Sequence, residues 1–233
     1  MDRLGLIGRF GNAVYSDKLN DKFDAIIDIG GNLPADTGGM VVLRKSAHEE
    51  DIMREAVEKN LIAKNLHDPD RGIYNSSNGQ IRLNTREHTF AAVTPTCEAF
   101  SLAPGRSEQG EFFAVDNQAG HGVFAAISVD RKPLKESGKI LLLHLTDAQG
   151  SMTEYADANR NQLEAWGREP LLAAHGTATA RILSGRGFRV WPLDSSGRRI
   201  GKVKLNEATG SRSFPLEVFH GDKVVFAYEL AAE

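Results

Sequence analysis

Trp166 and Arg168, an indole and a guanidinium either side of Gly167, are the side chains of this sequence best suited to holding a ligand. A sugar packs the C–H face of its ring on an aromatic surface while its hydroxyls take hydrogen bonds. A sugar site therefore needs apolar and polar groups side by side. Trp166 stands in the long polar stretch from Thr146 to Gly167, followed at once by Arg168 and Glu169, with Tyr155 earlier in the same stretch. An apolar ring in such surroundings is expected to be exposed, or else to tuck back over the sandwich as a lid, and Trp166, Tyr155 and Arg168 are the candidate carbohydrate-binding residues. Trp191 and Tyr74 are further rings, but Trp191 sits in the apolar run Val190 to Leu193, where packing in or over a sheet is expected. Aromatic residues make up only 7% of the chain, which is low for a surface devoted to sugars.

Other chemistries find weaker footing. Glycoside hydrolysis needs two facing carboxyl groups, one with a raised pKa. Glu111, Asp116, Glu154, Asp157 and Glu164 are candidates, yet among 31 acidic residues nothing in the spacing pairs any two of them. None of the seven histidines forms a His-x-x-x-His or His-Glu-x-x-His pattern. His121 and His144, beside the central strands, are expected to be structural. Asp68, Asp70, Asn75 and Asn78 read as an Asx-rich turn, since the order of a calcium loop is absent. The single cysteine, Cys97, excludes an intrachain disulfide and a multi-cysteine zinc site, and is expected to be a small core residue. No Gly-x-Ser-x-Gly elbow occurs, and Gly185-Arg-Gly187 lacks the third glycine of a dinucleotide loop. No catalytic residue, metal or cofactor is therefore assigned.

The elements that must position these residues are strands. The run Gly122 to Leu145 reads as two strands, Val123–Val129 and Lys139–Leu145, joined by the turn-forming Asp130-Arg-Lys-Pro133. The second run is nearly continuous in apolar residues, as expected of a central strand buried on both faces. Further short runs are expected at 80–83, 89–93, 99–102, 111–115, 178–183, 188–193, 199–204, 213–218 and 223–230, separated by Gly, Pro, Asp and Asn. Such spacing predicts an all-β fold, an antiparallel β-sandwich or jelly roll, over residues 71–233. The stretch 146–167 is expected to be a long loop.

Residues 1–70 read as an extension that packs on the sandwich. Its first forty residues are broken by glycines, which predicts loops with one or two short strands. A helix is expected at about 46–66: Ser46 and Glu49 make a capping box, and Met53, Val57 and Leu61 repeat on one stripe. The opening Met1-Asp-Arg-Leu-Gly-Leu-Ile-Gly-Arg9 is not expected to be a signal peptide, having no long apolar core. A formal net charge of −3 gives no electrostatic footprint for nucleic acid or anionic lipid, and no apolar run is long enough to span a membrane.

One ordered set of segments carries a resemblance. Ser128, Val129, Asp130, Pro133, Leu134 and Ser137, followed by Lys139 to Leu143, stand between Asn78-Gly-Gln-Ile-Arg-Leu83 with Phe90-Ala-Ala-Val-Thr-Pro95 and Gly167-Arg-Glu-Pro-Leu-Leu172. Val190-Trp-Pro-Leu-Asp-Ser-Ser-Gly-Arg198 and Tyr228-Glu-Leu230 complete the order. The set resembles the C-terminal β-sandwich accessory domain that follows the (β/α)8 catalytic barrel in certain bacterial glycoside hydrolases. The barrel itself is not expected in this chain, since eight β/α units need about 200 residues or more and eight helices, and the sequence shows one clear helix. The resemblance implies a non-catalytic module for polysaccharide degradation, secreted or periplasmic, whose partners are the catalytic barrel and a polysaccharide or oligosaccharide. A dedicated carbohydrate-binding module and a free-standing glycoside hydrolase with paired carboxylates are the alternatives. The first predicts a row or cleft of exposed aromatics, the second a concave site with two facing carboxylates.

Overall fold

The computed structural model describes residues 13–20, 23–28, 41–44, 67–68, 71–76, 79–158, 160–208 and 210–233. The helix expected at 46–66 lies outside these residues, as do Asp70 and Asn78. Every regular element among the described residues longer than a single turn is a strand, and the fold is all-β. The chain divides into two compact units, Met1–Thr94 and Pro95–Glu233.

The first unit carries β1 (Ala13–Asn20), β2 (Phe23–Asp28) and β3 (Val41–Arg44), then β4 (His67–Asp68), β5 (Ile73–Asn75), β6 (Ile81–Asn84) and β7 (Thr89–Val93). β1 pairs antiparallel with β2 and parallel with β3; β1 and β2 are two strands within the first forty residues, as expected, and β3 follows them. β4 to β7 make an antiparallel meander. Its last turn closes on Asn84, whose Oδ1 accepts the backbone amides of Arg86 and Glu87 at 3.1 and 3.0 Å. Asp68 likewise takes the Arg71 amide at 3.0 Å. In each a short polar side chain takes the place of a backbone partner.

The second unit is a sandwich. Its strands are β8 (Cys97–Leu102), β9 (Ser107–Gln109), β10 (Phe113–Ala119), β11 (Gly122–Ser128), β12 (Lys139–Leu145), β13 (Ala148–Tyr155), β14 (Leu163–Ala173), β15 (Thr177–Ile182) and β16 (Phe188–Leu193). There follow β17 (Asn206–Ala208), β18 (Ser211–Glu217), β19 (Phe219–His220), β20 (Lys223–Val224) and β21 (Ala227–Ala232). One layer runs β16-β21-β12-β11-β8 and the other β17-β18-β15-β10-β9, every pairing antiparallel. Phe100 on β8 meets Phe113 on β10 with ring centroids 4.8 Å apart, and Phe214 on β18 meets Tyr228 on β21 at 6.3 Å. The Tyr228 hydroxyl crosses the layers: it donates to the Glu217 carbonyl and accepts the Glu217 amide, both at 2.8 Å. Burial pushes its pKa up to about 12, so it stays a donor.

β12 is the middle strand of its layer, as expected, but it is not closed on both faces. Ile140, Leu142 and His144 point into the core and are buried, whereas Leu141 and Leu143 are half-covered and Leu145 is exposed. A sandwich layer packs fully on one face only, so the period of two survives beneath an unbroken apolar sequence. The turn before β12 is held by Asp130. Its carboxylate accepts the Ser128 and Ser137 hydroxyls at 2.9 and 2.7 Å and the Gly138 amide at 2.9 Å, which holds its pKa far below the usual carboxylate range.

A second carboxylate joins the layers. Glu98 on β8 is buried, and its two oxygens accept the amides of Glu111, Phe112 and Phe113 at 2.7, 2.8 and 3.0 Å, the segment that opens β10. Gly110 makes this possible, because a Cβ there would occupy the space of the carboxylate. Burial pushes the Glu98 pKa up and the three amides pull it only part of the way back.

Two further expectations fail. Residues 199–204 do not form a strand: they follow the edge of β16 through one bridge, Leu193 to Arg199, and the single bonds Ile200 N to Pro192 O and Val203 N to Val190 O. Pro192 on that edge has no N–H to return, which prevents a regular ladder. The stretch 146–167 is not a loop either, because it supplies β13 and the start of β14, which pair only with each other.

Leu142, 1% exposed, tests the core. Leu142→Asp should cost on the order of 3–5 kcal/mol by burying an unpaired charge, read as a large drop in the thermal midpoint. His144 tests the acid limb. Its ring is buried, stacks on Phe124 at 4.7 Å and has no hydrogen-bond partner on either nitrogen, and burial lowers its pKa to about 4. The unfolded imidazole protonates near its ordinary value of 6.5. The stability this group contributes is therefore complete above that value and lost as pH falls towards 4. Glu98, with its raised pKa, acts oppositely, since the folded state holds its proton to higher pH than the unfolded chain. His144→Leu should flatten the decline between pH 6.5 and 4 by about 1–3 kcal/mol, measured by denaturant titrations at several pH values. An unchanged slope would show that the ring is hydrated in solution.

Candidate functional site

β13 and β14 form an arm that leaves the sandwich after β12 and returns to β15. Its root is tied by Thr146 Oγ1 donating to the Ala174 carbonyl at 2.8 Å and by the Ala174 amide donating to the Asp147 carbonyl at 2.7 Å. The pairing is irregular. Gly150 opposes Leu171 but Ser151 opposes Arg168, so Glu169 and Pro170 bulge out, and a second shift falls between Glu154 and Tyr155. Gly167 sits in the left-handed region at φ +71°, against the Ser151 carbonyl and the Thr153 hydroxyl, where a Cβ would clash. Bulges increase local twist and bend. The turn that closes the hairpin is drawn back towards the root, since the Arg160 guanidinium forms an ion pair with Asp147 and lies 5.4 Å over the Tyr155 ring.

The bent arm encloses a cleft of about 440 Å³ lined by Trp166, Tyr155, Arg168, Glu169, Thr153, Leu163 and Leu171, among others. The three residues singled out in the sequence thus line one cleft, though on strands rather than in a loop. Trp166 is 87% exposed, opposite Thr153. Tyr155 is half-buried, with one ring face taken by Arg160, so it contributes an edge and a hydroxyl more than a free platform. Arg168 and Glu169 are exposed, and neither forms an ion pair among the described residues. An uncovered indole beside a free donor and a free acceptor can stack a ring and bond its substituents.

The other candidates are dispersed. Glu111 pairs with Lys135 at 2.8 Å and Asp116 with Arg181 at 3.5 Å, on the sandwich, while Glu154, Asp157 and Glu164 are exposed on the arm. Asp157 bonds the Asn161 amide within the arm's own turn. The carboxyl that burial raises, Glu98, is occupied by three amides and inaccessible, so it is no acid for a substrate. The Cys97 thiol is buried and pushed up by that burial, away from nucleophilic character. The His121 ring bonds the Ser101 hydroxyl at 2.9 Å. Trp191 covers its sheet beneath Arg199, whose guanidinium lies 3.8 Å from the ring centre and is held by Glu229. Among the described residues no group of three His, Cys, Asp or Glu is placed to hold a metal, and no helix is long and apolar enough to cross a membrane. Two smaller clefts, about 240 and 200 Å³, flank residues 202–204. The Arg189 and Arg212 side chains of the first are already paired with Glu233 and Glu207.

The sequence marked Glu169 only as a neighbour of Arg168, and gave no sign of Thr153, Leu163 or Leu171 as cleft residues. Pairing across a bulged hairpin leaves no period to detect. Comparison of the chain with known protein families, curated proteins and solved structures gives no match.

The exposure of Trp166 predicts its spectrum. In Trp191→Phe, the remaining indole should emit far to the red and be readily quenched by iodide. In Trp166→Phe, Trp191 under Arg199 should be quenched markedly less. A blue-shifted, unquenched Trp166 would mean that the arm closes over its own ring.

Proposed function

We propose that this chain is a non-catalytic β-sandwich accessory module of a polysaccharide-degrading glycoside hydrolase, and that the arm cleft is its carbohydrate contact. The carrying observation is the uncovered Trp166 ring in a cleft with Arg168 and Glu169, neither of them paired among the described residues. The indole would stack on a sugar ring, Arg168 would donate to its hydroxyls, and the Tyr155 hydroxyl would bond at the far side. The rest of the assignment comes from the ordered segments described above, which imply a parent enzyme with a (β/α)8 catalytic barrel, acting outside the cell or in the periplasm. The apolar side chains of Leu171, Leu172 and Met152, also exposed on the arm, would suit contact with that enzyme.

The geometry favours this over the alternatives. A dedicated carbohydrate-binding module predicts a row or cleft of exposed rings, and this cleft holds one open ring, Trp166, with Tyr155 half-buried. A hydrolase predicts two facing carboxylates, and the cleft holds one, Glu169.

Affinity gel electrophoresis against a panel of soluble polysaccharides tests the proposal. The unaltered chain should be retarded by at least one of them. Trp166→Ala should weaken that binding about 5–30-fold, the equivalent of about 1–2 kcal/mol, with an unchanged thermal midpoint. Equal retardation of both proteins would remove the cleft from the binding site, and retardation by none would reject the carbohydrate role.

A further inference from the structure

Resting on that reading, we infer that the glycan held at Trp166 is uncharged, and that Arg168 and Glu169 read its hydroxyls as a donor–acceptor pair. Apart from these two, the cleft is lined by Ala148, Gln149, Gly150, Thr153, Tyr155, Leu163, Trp166, Gly167 and Leu171, none of which is charged at neutral pH. A further cation of the arm, Arg160 over Tyr155, is already paired with Asp147. The lining therefore sums to no net charge.

Arg168 and Glu169 are consecutive, exposed and of opposite sign, yet they do not pair with each other or with any other described residue. The bulge at Glu169 and Pro170 separates them: Arg168 keeps its place in the ladder opposite Ser151, and Glu169 leaves it. A guanidinium has five donors and no acceptor, while an ionised carboxylate only accepts. A carboxylated or sulfated sugar would satisfy Arg168 and be repelled by Glu169, and a cationic sugar would meet the reverse. A neutral ring with neighbouring hydroxyls suits both at once, one hydroxyl accepting from Arg168 and another donating to Glu169, while its C–H face lies on Trp166. Such binding exchanges no fixed charge with the ligand and should depend little on salt.

The test uses the full chain in affinity electrophoresis and calorimetry with neutral glucans, galactans and xylans on one side and polygalacturonate and alginate on the other. A neutral polymer should bind best. Arg168→Gln and Glu169→Gln should each weaken it about tenfold, and raising salt from about 50 to 500 mM should change it less than about twofold. Both side chains are exposed, and unchanged thermal midpoints would confirm that the variants fold. Tighter binding of a polyuronate, strengthened by Glu169→Gln and weakened by salt, would overturn the inference while leaving a carbohydrate role standing. So would neutral-glycan binding that neither variant alters. Failure of every polymer to bind would overturn the inference together with the function beneath it.

Discussion

The contact on which the sandwich depends is the buried carboxylate of Glu98. A sandwich is two sheets joined by apolar packing, which is strong but not directional, and Glu98 supplies direction. Its oxygens take three consecutive amides at the start of β10, fixing where the second layer begins relative to the first. An ionised carboxylate in the core is costly unless hydrogen-bonded, and three peptide donors meet that need without a cation. Amides buried at a strand start are also costly if left unpaired, so each group satisfies the other. The adjoining Gly110 is required because a side chain there would fill the carboxylate's place.

Around that fixed point the core divides its work. Phe100, Phe113, Phe124, Phe214 and Tyr228 fill the space between the layers. Polar groups inside are spent on backbone atoms: the Tyr228 hydroxyl on Glu217, and the Asn117 amide nitrogen on the carbonyls of Leu102 and Gly120 at 3.0 and 2.7 Å. His144 departs from this, a buried imidazole with no partner on either nitrogen, and its lowered pKa makes acid a condition that weakens this core.

The arm follows other rules. An isolated hairpin is marginal in water, because two strands bury little. This one relies on its tied root, on Ser151 Oγ bonding the Pro170 carbonyl at 2.8 Å, and on the Arg160–Asp147 pair that bends it. The bend makes a cleft without a core beneath it. The same shortage of neighbours leaves Trp166 uncovered, so the weakness of the arm as a folding unit and its suitability as a contact surface have one cause.

The sequence by itself determined the all-β class, because short runs of strand formers bounded by Gly, Pro, Asp and Asn report local backbone preference. Lys139–Leu145 and Phe188–Leu193 are strands over the very residues expected, and Leu142 is buried at the centre of its layer. Residue chemistry also marked Trp166, Tyr155 and Arg168, since an indole in a polar stretch is conspicuous in any fold. Tertiary structure alone decided the rest. That 146–173 is a bent hairpin rests on cross-strand pairing with two register shifts, and its polar residues on both faces give no alternation to read. That one face of β12 stays partly open depends on how many layers cover it, which a run of leucines cannot say. Residues 199–204 look like a strand until Pro192 is placed opposite them. Glu98, between Cys97 and Ala99, carries no local mark at all, because its partners lie more than a strand away and only folding brings their amides to it.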